Sequence, residues 1–312
     1  MRGWTAKDIP DQHGRVVIIT GANSGVGYES AVALARKGAH VIMACRSRDK
    51  AERARQTILS AVPNASIEVM ALDLGSLKSI RTFADACKAT HSRLDILMNN
   101  AGIMTPPYGK TVDGFETQFG TNHLGHFALT GLLLPKLLET PKSRIVTVSS
   151  GAYLNGRINF DDLQSERDYK RFAAYGQSKL ANILFMRELQ RKLEAARADV
   201  ISVASQPGYA VTNLQANQQM PPLEATFFTL LKWTMSQPAD LGATYQLYAA
   251  TVPNVHGGEF FEPKLMLRGK VVRRELNARG KDTVVAARLW QVSEQLTGVH
   301  YEALKASVPV VA

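Results

Sequence analysis

Tyr175 and Lys179 stand four residues apart in the stretch YGQSK. On a helix that spacing puts both on one face. A tyrosine with its ordinary pKa of about 10 is a poor base at neutral pH. A neighbouring ammonium stabilises the phenolate and lowers that pKa. The pair is thus a candidate general acid/base for an oxygen that gains or loses a proton. Alone, a Tyr-x-x-x-Lys pair usually sits idle on a surface, so its meaning depends on its surroundings.

A glycine-rich turn supplies part of those surroundings. Thr20-Gly21-Ala22-Asn23-Ser24-Gly25-Val26-Gly27 follows the apolar run VVIIT. Glycines permit a tight turn and let backbone approach a ligand closely. A helix starting here presents N–H donors and the positive end of its dipole, which suits a pyrophosphate. Gly21, Asn23, Ser24, Gly25, Val26 and Gly27 are therefore candidate cofactor contacts. The spacing is GxxxGxG rather than GxGxxG. Such turns also serve packing alone; its place directly after an apolar strand favours binding.

The next apolar run, HVIMA, leads into Cys45-Arg46-Ser47. An acid at this place bonds the ribose hydroxyls of NAD, whereas an arginine accommodates the 2′-phosphate of NADP with its planar fork. Arg46 thus points to NADP(H), with Arg48 and Lys50 as helpers. The plain alternative is an exposed basic turn. Asp49 is the nearest acid and lies too far along to replace it.

The elements that must hold these residues alternate along the chain. Short apolar runs at 16–20, 40–44, 67–72, 94–98, 144–149 and 200–204, with a further one at 258–261, predict about seven strands. Between them, helical spacing is read over 28–37, 49–61, a stretch capped by Ser76, then 119–138, 173–195 and 241–250. Strands alternating with helices predict an α/β fold: a Rossmann-type, doubly wound parallel sheet with helices on both faces. The chemical motifs fall at strand C-termini, where open α/β sheets bind ligands. No linker or repeat interrupts the pattern. One domain over 1–312 is expected, with a substrate lid at about 209–240 and a C-terminal extension at about 263–312.

Composition sets outer limits. The 312 residues are 45% hydrophobic and 21% charged, ordinary for a globular protein with a sizeable core. Cys45 and Cys87 allow at most one disulfide, and no CxxC or His/Cys run suggests zinc or any other metal. No targeting segment is read at the N-terminus, and no apolar run has the length of a transmembrane segment. A cytoplasmic location is expected. The net charge of +10 favours anionic partners. Basic residues gather at 264–281, but no nucleic-acid motif or aromatic stripe accompanies them, so a solvated face is expected and no nucleic acid partner.

Taken together, these features resemble the short-chain dehydrogenase/reductase family. The resemblance runs from about Gly14 to Phe261. It rests on TGANSGVG, Asp73-Leu74, Asn99-Asn100-Ala101-Gly102, Asn122, Ser149-Ser150, Tyr175 with Lys179, and Pro207-Gly208 with Thr212, in that order. The stretches VTVSS, NFDDLQSE and YGQSKLAN, and the long interval from Ser150 to Tyr175, are similar to the retinol-dehydrogenase-like branch.

The resemblance implies roles. Tyr175 would exchange a proton with the carbonyl or alcohol oxygen, and Ser150, rather than Ser149, would hydrogen-bond that oxygen. Lys179 would lower the tyrosine pKa and bind the nicotinamide ribose. Asn122 would hold a water linking Lys179 to solvent. Asp73 and Leu74 would meet the adenine. Asn100, Ala101 and Gly102 would pack on the cofactor, and Pro207, Gly208 and Thr212 would lie on its nicotinamide side. The implied activity is alcohol–carbonyl interconversion with NADP(H).

Leu214, Met220, Leu223, Phe227, Phe228, Leu230, Leu231, Trp233 and Met235 suggest a small apolar alcohol or carbonyl substrate, or else a lid or subunit contact. The family suggests a homo-dimer or tetramer. Two other readings stand beside this one. A nucleotide-sugar epimerase or dehydratase is disfavoured by the GxxxGxG spacing and the modest C-terminal region. A catalytically silent, cofactor-sensing scaffold is disfavoured by the intact set Asn122, Ser150, Tyr175 and Lys179.

Overall fold

The structure is a computed structural model that describes residues 3–209 and 237–304. β1 (Val16–Thr20), β2 (His40–Cys45), β3 (Ser66–Ala71) and β4 (Ile96–Asn99) alternate with α1 (Gly25–Ala35), α2 (Arg48–Ala61) and α3 (Leu77–Thr90). A short α4 (Thr117–Phe119), a π-helical turn (Gly120–Leu124) and α5 (Gly125–Glu139) lead to β5 (Ser143–Val148). Then come α6 (Arg171–Ala195), β6 (Val200–Ser205), α7 (Ala239–Thr251), β7 (Phe260–Pro263), β8 (Val271–Arg273) and α8 (Thr283–Thr297).

The strands form one sheet in the order β3-β2-β1-β4-β5-β6-β7-β8. All neighbours are parallel except β7 and β8. The sheet thus has eight strands rather than about seven. The run Val271–Arg273 is too short and too charged at its flanks to read as a strand, but it is paired through Phe261 opposite Arg273.

Strand periodicity splits the apolar residues between two faces. Val17, Ile19, Val41 and Met43 pack beneath Leu34 of α1, Ile58 of α2 and Leu247 of α7. Ile18, Ile42, Leu97 and Ile145 meet Phe83 of α3, Leu133 of α5 and Leu189 of α6. Burying each such side chain contributes roughly 1.5–3 kcal/mol relative to exposure. The chain winds outward in both directions from between β1 and β4, and the crevice at that switch point opens at the strand C-termini.

The C-terminal region is part of the core. Asp282 caps α8 by accepting the Val285 N–H. Trp290 of α8 sits 5.1 Å from Phe127 and 4.4 Å from Tyr301, ring centre to ring centre. The Tyr301 hydroxyl donates to the Phe127 carbonyl at 2.7 Å. The basic cluster is largely matched by acids or carbonyls: Arg273 with Glu259, Lys281 with Glu275, and Arg279 on the Leu154 and Gly156 carbonyls. Among the described residues no helix is long and apolar enough to cross a membrane. Cys45 and Cys87 are buried free thiols, and burial pushes their pKa values up to about 11 and about 12.

Candidate active site

The candidate residues follow the C-terminal ends of six strands, β1 to β6. At β1, Gly21 turns the chain with φ of 68° and Gly25 opens α1. Ser24 precedes α1, makes no side-chain cap bond, and no acid stands in the first turn. By contrast, Ser47, Ser76 and Asp282 cap α2, α3 and α8 with their side chains. Among the described residues the first-turn amides of α1 thus have no side-chain cap and no acid in their own turn, which fits a pyrophosphate at that terminus.

Gly27 shows why this loop is glycine-rich. A Cβ there would lie 2.5 Å from Asn100 Nδ2 and 2.6 Å from the Gly21 carbonyl oxygen. Asn100 is not free to yield, because Nδ2 donates to the Thr20 carbonyl at 2.7 Å. Gly27→Ala is expected to destabilise the protein by about 1–3 kcal/mol through overpacking. It should also weaken nicotinamide-dinucleotide binding. Thermal melting and a cofactor titration check this; an unchanged melting midpoint with unchanged affinity contradicts it.

At β2, Arg46 follows buried Cys45 and is exposed. No acid stands beside it, and Ser47 is occupied as the cap of α2. Among the described residues Arg46 forms no hydrogen bond or ion pair. At β3, Asp73 accepts the Gly75 N–H at 2.9 Å, and its own N–H donates to Ser79 Oγ. Leu74 is buried. At β4, Asn100 and Ala101 both donate their backbone N–H groups to Thr20 Oγ1 at 2.9 Å. Gly102 lies where a Cβ would be 3.3 Å from both Asn122 Oδ1 and Lys179 Nζ, so it brings the β4 loop against those two side chains.

At β5 the two serines part. Ser149 is buried, and its hydroxyl donates to the Lys179 carbonyl at 2.8 Å, which ties β5 to α6. Ser150 starts the 3₁₀ turn Gly151–Asn155 and hydrogen-bonds the Tyr175 hydroxyl. The geometry thus places Ser150, not Ser149, against the tyrosine. Beyond β6, Gln206 accepts the Gly151 N–H at 2.8 Å and holds the loop that carries Ser150. Pro207 accepts from Gln237 at 2.7 Å. Gly208 has φ of 68°, and a side chain there would collide with the Leu267 carbonyl. Thr212 and the apolar residues expected to form the lid, most of 209–240, lie outside the described residues.

On α6, Tyr175 and Lys179 share a face as their spacing predicts. Lys179 Nζ sits 5.7 Å from the Tyr175 ring centre and donates to the Val148 carbonyl at 3.3 Å. Their electrostatics differ from expectation. Burial raises the Tyr175 pKa, and the Ser150 hydroxyl lowers it in part. Lys179 is not among the causes of that shift: its ammonium stands over the ring face and is turned to the Val148 carbonyl. Burial brings Lys179 itself down to about 8.

Asn122 sits in the π turn, which breaks the helix read over 119–138. Its Nδ2 donates to the Ile103 carbonyl and to Ser178 Oγ, both at 3.0 Å, and Oδ1 accepts the Ile103 N–H at 2.8 Å. The side chain has one acceptor position left, on Oδ1.

Two residues missed by the sequence reading join these parts. His126 lies one turn after Asn122. Its Nδ1 is 2.9 Å from the Asn122 carbonyl and its Nε2 is 3.0 Å from Thr20 Oγ1. A carbonyl only accepts, so Nδ1 carries the proton and the Thr20 hydroxyl donates to Nε2. Thr20 thereby clamps the glycine-rich loop, the β4 loop and the Asn122 turn together. The four-residue interval from Asn122 to His126 was a usable signal; the role of Thr20 was not visible without the sheet order.

Burial lowers His123 to about 3, helped by His126, and lowers His126 to about 4, against the hydrogen bond to Asn122. The unfolded chain protonates both below about pH 6.5, while the folded chain resists. Stability should therefore fall as pH drops from 6.5 toward 4, by about 1.4 kcal/mol per pH unit for each histidine. Denaturant midpoints across that range test this. The slope should lessen in His123→Leu, and a flat profile in the parent protein contradicts it.

Comparison with known proteins agrees with this architecture. A family model described as short chain dehydrogenase matches residues 15–222. Retinol dehydrogenase 14 of Mus musculus is 44% identical over 299 residues, covering 92% of this chain and 87% of that protein. A crystal structure of an uncharacterized protein from Mycobacterium paratuberculosis matches with a TM-score of 0.81 at 46% identity, covering 96% of this chain and 99% of that one. An NAD(P) dependent gluconate 5-dehydrogenase from Beutenbergia cavernae, solved with bound NADP, matches with a TM-score of 0.62 at 26% identity, over 80% of this chain and 95% of that one. The chain belongs to the short-chain dehydrogenase family, in its retinol-dehydrogenase-like branch.

Proposed function

We propose that this protein is an NADP(H)-dependent oxidoreductase that interconverts an apolar alcohol with its aldehyde or ketone, with Tyr175 as the general acid/base. Family membership supports the alcohol–carbonyl oxidoreduction itself. The finer reading rests on one observation above others. The Tyr175 hydroxyl meets the Ser150 hydroxyl at the sheet's C-terminal edge, with Lys179 one helical turn away.

The glycine-rich loop, with Gly21, Gly25 and Gly27, would hold the pyrophosphate on the α1 amides. Arg46 would take the 2′-phosphate, since it follows β2 with no acid beside it. Asp73 and Leu74 would border the adenine. Asn100, Ala101 and Gly102 would line the cofactor, with Pro207, Gly208 and Thr212 on the nicotinamide side. Lys179 would reach the nicotinamide ribose. When bound, the nicotinamide gives or takes the hydride.

The protein's own residues handle the proton. Ser150 and Tyr175 would grip the substrate oxygen together. With its pKa raised by burial, Tyr175 stays protonated at neutral pH, the form that donates to a carbonyl oxygen. Asn122, held by His126 through its backbone carbonyl and by Ser178 through its side chain, would keep the β4 loop in place beside Lys179.

An apolar substrate is supported by the mouth of the site. Met266 is 41% exposed, and its sulfur would lie 3.8 Å from a Cβ at Gly151, next to Ser150. Leu265 beside it is exposed too. Relatives named retinol dehydrogenases agree in substrate character. The experiment is steady-state turnover of retinal, of medium-chain aldehydes and of polar hydroxy-ketones with NADPH. The proposal expects the lipophilic carbonyls to have kcat/KM at least tenfold above the polar ones. Equal or reversed preference overturns the substrate class.

A further inference from the structure

We propose that His40, Glu68 and His91 form a binding site for a divalent transition metal, zinc above others, that clamps the β3 edge of the sheet to the end of α3. His40 begins β2, Glu68 is the third residue of β3, and His91 follows the last residue of α3. His40 pairs with Ser66, and Glu68 pairs with Ile42 two residues further on, so His40 and Glu68 point to the same face of the sheet. The C-terminal end of α3 covers that face. The site lies at the start of β2, opposite the strand ends that carry Gly21, Arg46 and Ser150, and it is independent of the proposed reaction.

Three observations carry the assignment. One ligand atom from each residue lies within 4.8 Å of the others. Glu68 Oε2 is 3.1 Å from His91 Nε2 and 3.5 Å from His40 Nε2. With metal–ligand bonds of about 2.0–2.1 Å at tetrahedral angles, neighbouring donor atoms stand about 3.3 Å apart, which these distances bracket.

The second observation is that both Nε2 atoms are buried and have no hydrogen-bond partner. Buried polar nitrogens are almost always satisfied, and two of them facing one carboxylate without a proper hydrogen bond call for an occupant. The third is the support behind His40. Its Nδ1 is 2.7 Å from Ser66 Oγ. With Nδ1–H donating to that hydroxyl, Nε2 turns its lone pair toward Glu68, as a metal-bound imidazole does.

The donor set selects the ion. Two imidazoles and one carboxylate suit zinc, cobalt or nickel rather than magnesium or calcium, which prefer all-oxygen shells. Three protein ligands leave a fourth position to water on this half-buried edge. Basic side chains of the neighbouring segments have acids of their own: Arg55 is paired with Glu52, Arg93 with Asp95 and Lys136 with Glu139. By binding the folded chain alone, the ion would tie β2, β3 and α3 together and stabilise the sheet edge.

The test uses the full chain without a polyhistidine tag, stripped with a chelator and dialysed. Co²⁺ alone is titrated while visible absorption is followed, then Zn²⁺ is added. The proposal expects one equivalent of Co²⁺ to give the intense bands of a four-coordinate centre, which Zn²⁺ then displaces. Glu68→Gln, which keeps the side-chain shape, should weaken Co²⁺ binding at least tenfold. The double variant His40→Ala/His91→Ala should lose it. Zn²⁺ should raise the melting midpoint of the parent by several degrees and leave the double variant unmoved. Cofactor affinity should be the same in all three proteins, which also shows that the variants are folded. No saturable one-to-one Co²⁺ spectrum in the parent, or equal binding by the folded double variant, overturns the proposal.

Discussion

Tyr175→Phe is expected to lower kcat for carbonyl reduction by about 10²- to 10⁴-fold, the range for loss of a positioned general acid. Phenylalanine fills nearly the same volume, so the packing of α6 is kept. What is lost is one hydroxyl that bonds Ser150. Losing one such hydrogen bond costs about 1 kcal/mol of stability, too little to unfold the chain. Affinity for NADPH should stay within about threefold, because the residues proposed to meet the phosphates and adenine lie on other elements. Steady-state kinetics with a cofactor titration separate these effects. A variant that keeps more than a tenth of the parent kcat, with normal cofactor binding, contradicts the role assigned to the hydroxyl. Ser149→Ala provides the contrast. It should act through stability, since Ser149 bonds the Lys179 carbonyl, while Ser150→Ala should lower kcat.

Arg46→Ala is expected to weaken NADPH binding by roughly 10- to 100-fold and to leave NADH binding nearly unchanged. A hydrogen bond to a charged group contributes about 1.5–3 kcal/mol, and the bidentate grip of an arginine on a phosphate lies in that range. The side chain is exposed and has no partner among the described residues. Its removal therefore breaks nothing in the free protein, and the melting midpoint should not move. Raising ionic strength should reduce the NADPH preference of the parent more than that of the variant. Isothermal titration with both dinucleotides at two salt concentrations checks this. Equal losses for NADPH and NADH would mean that Arg46 supports the fold of the turn and not the phosphate.

The parts of the fold that rest on local pattern were legible in the sequence. VVIIT is β-branched throughout and HVIMA is apolar after His40, and both are buried on both faces, so strands β1 and β2 follow from composition alone. The glycine turn, the Tyr175–Lys179 spacing and the ordered motifs carried the family. What escaped depends on contacts distant in sequence. β8 exists because Val271–Arg273 finds the free edge of β7, not because three residues have strand character. α8 carries Ala286, Leu289, Trp290, Ser293 and Thr297 on its buried face, a helical spacing that went unread behind the basic cluster. The π turn around Asn122 has no local signature; it is fixed by Ile103, Ser178 and His126, which come from other segments or the next turn. The burial that acts on Tyr175 was not readable for the same reason. Spacing places an ammonium nearby, but only the fold shows it turned to the Val148 carbonyl and the phenol deeply buried.

The most direct test of the central claim follows the hydride itself. The purified protein is given retinal or a medium-chain aldehyde together with NADPH carrying deuterium at both C4 positions, and the product is examined by mass spectrometry. The account predicts one deuterium on the carbinol carbon of every product molecule, and loss of product formation in Tyr175→Phe. Alcohol formed without deuterium, or no alcohol from any lipophilic carbonyl while NADPH is bound tightly, would contradict it.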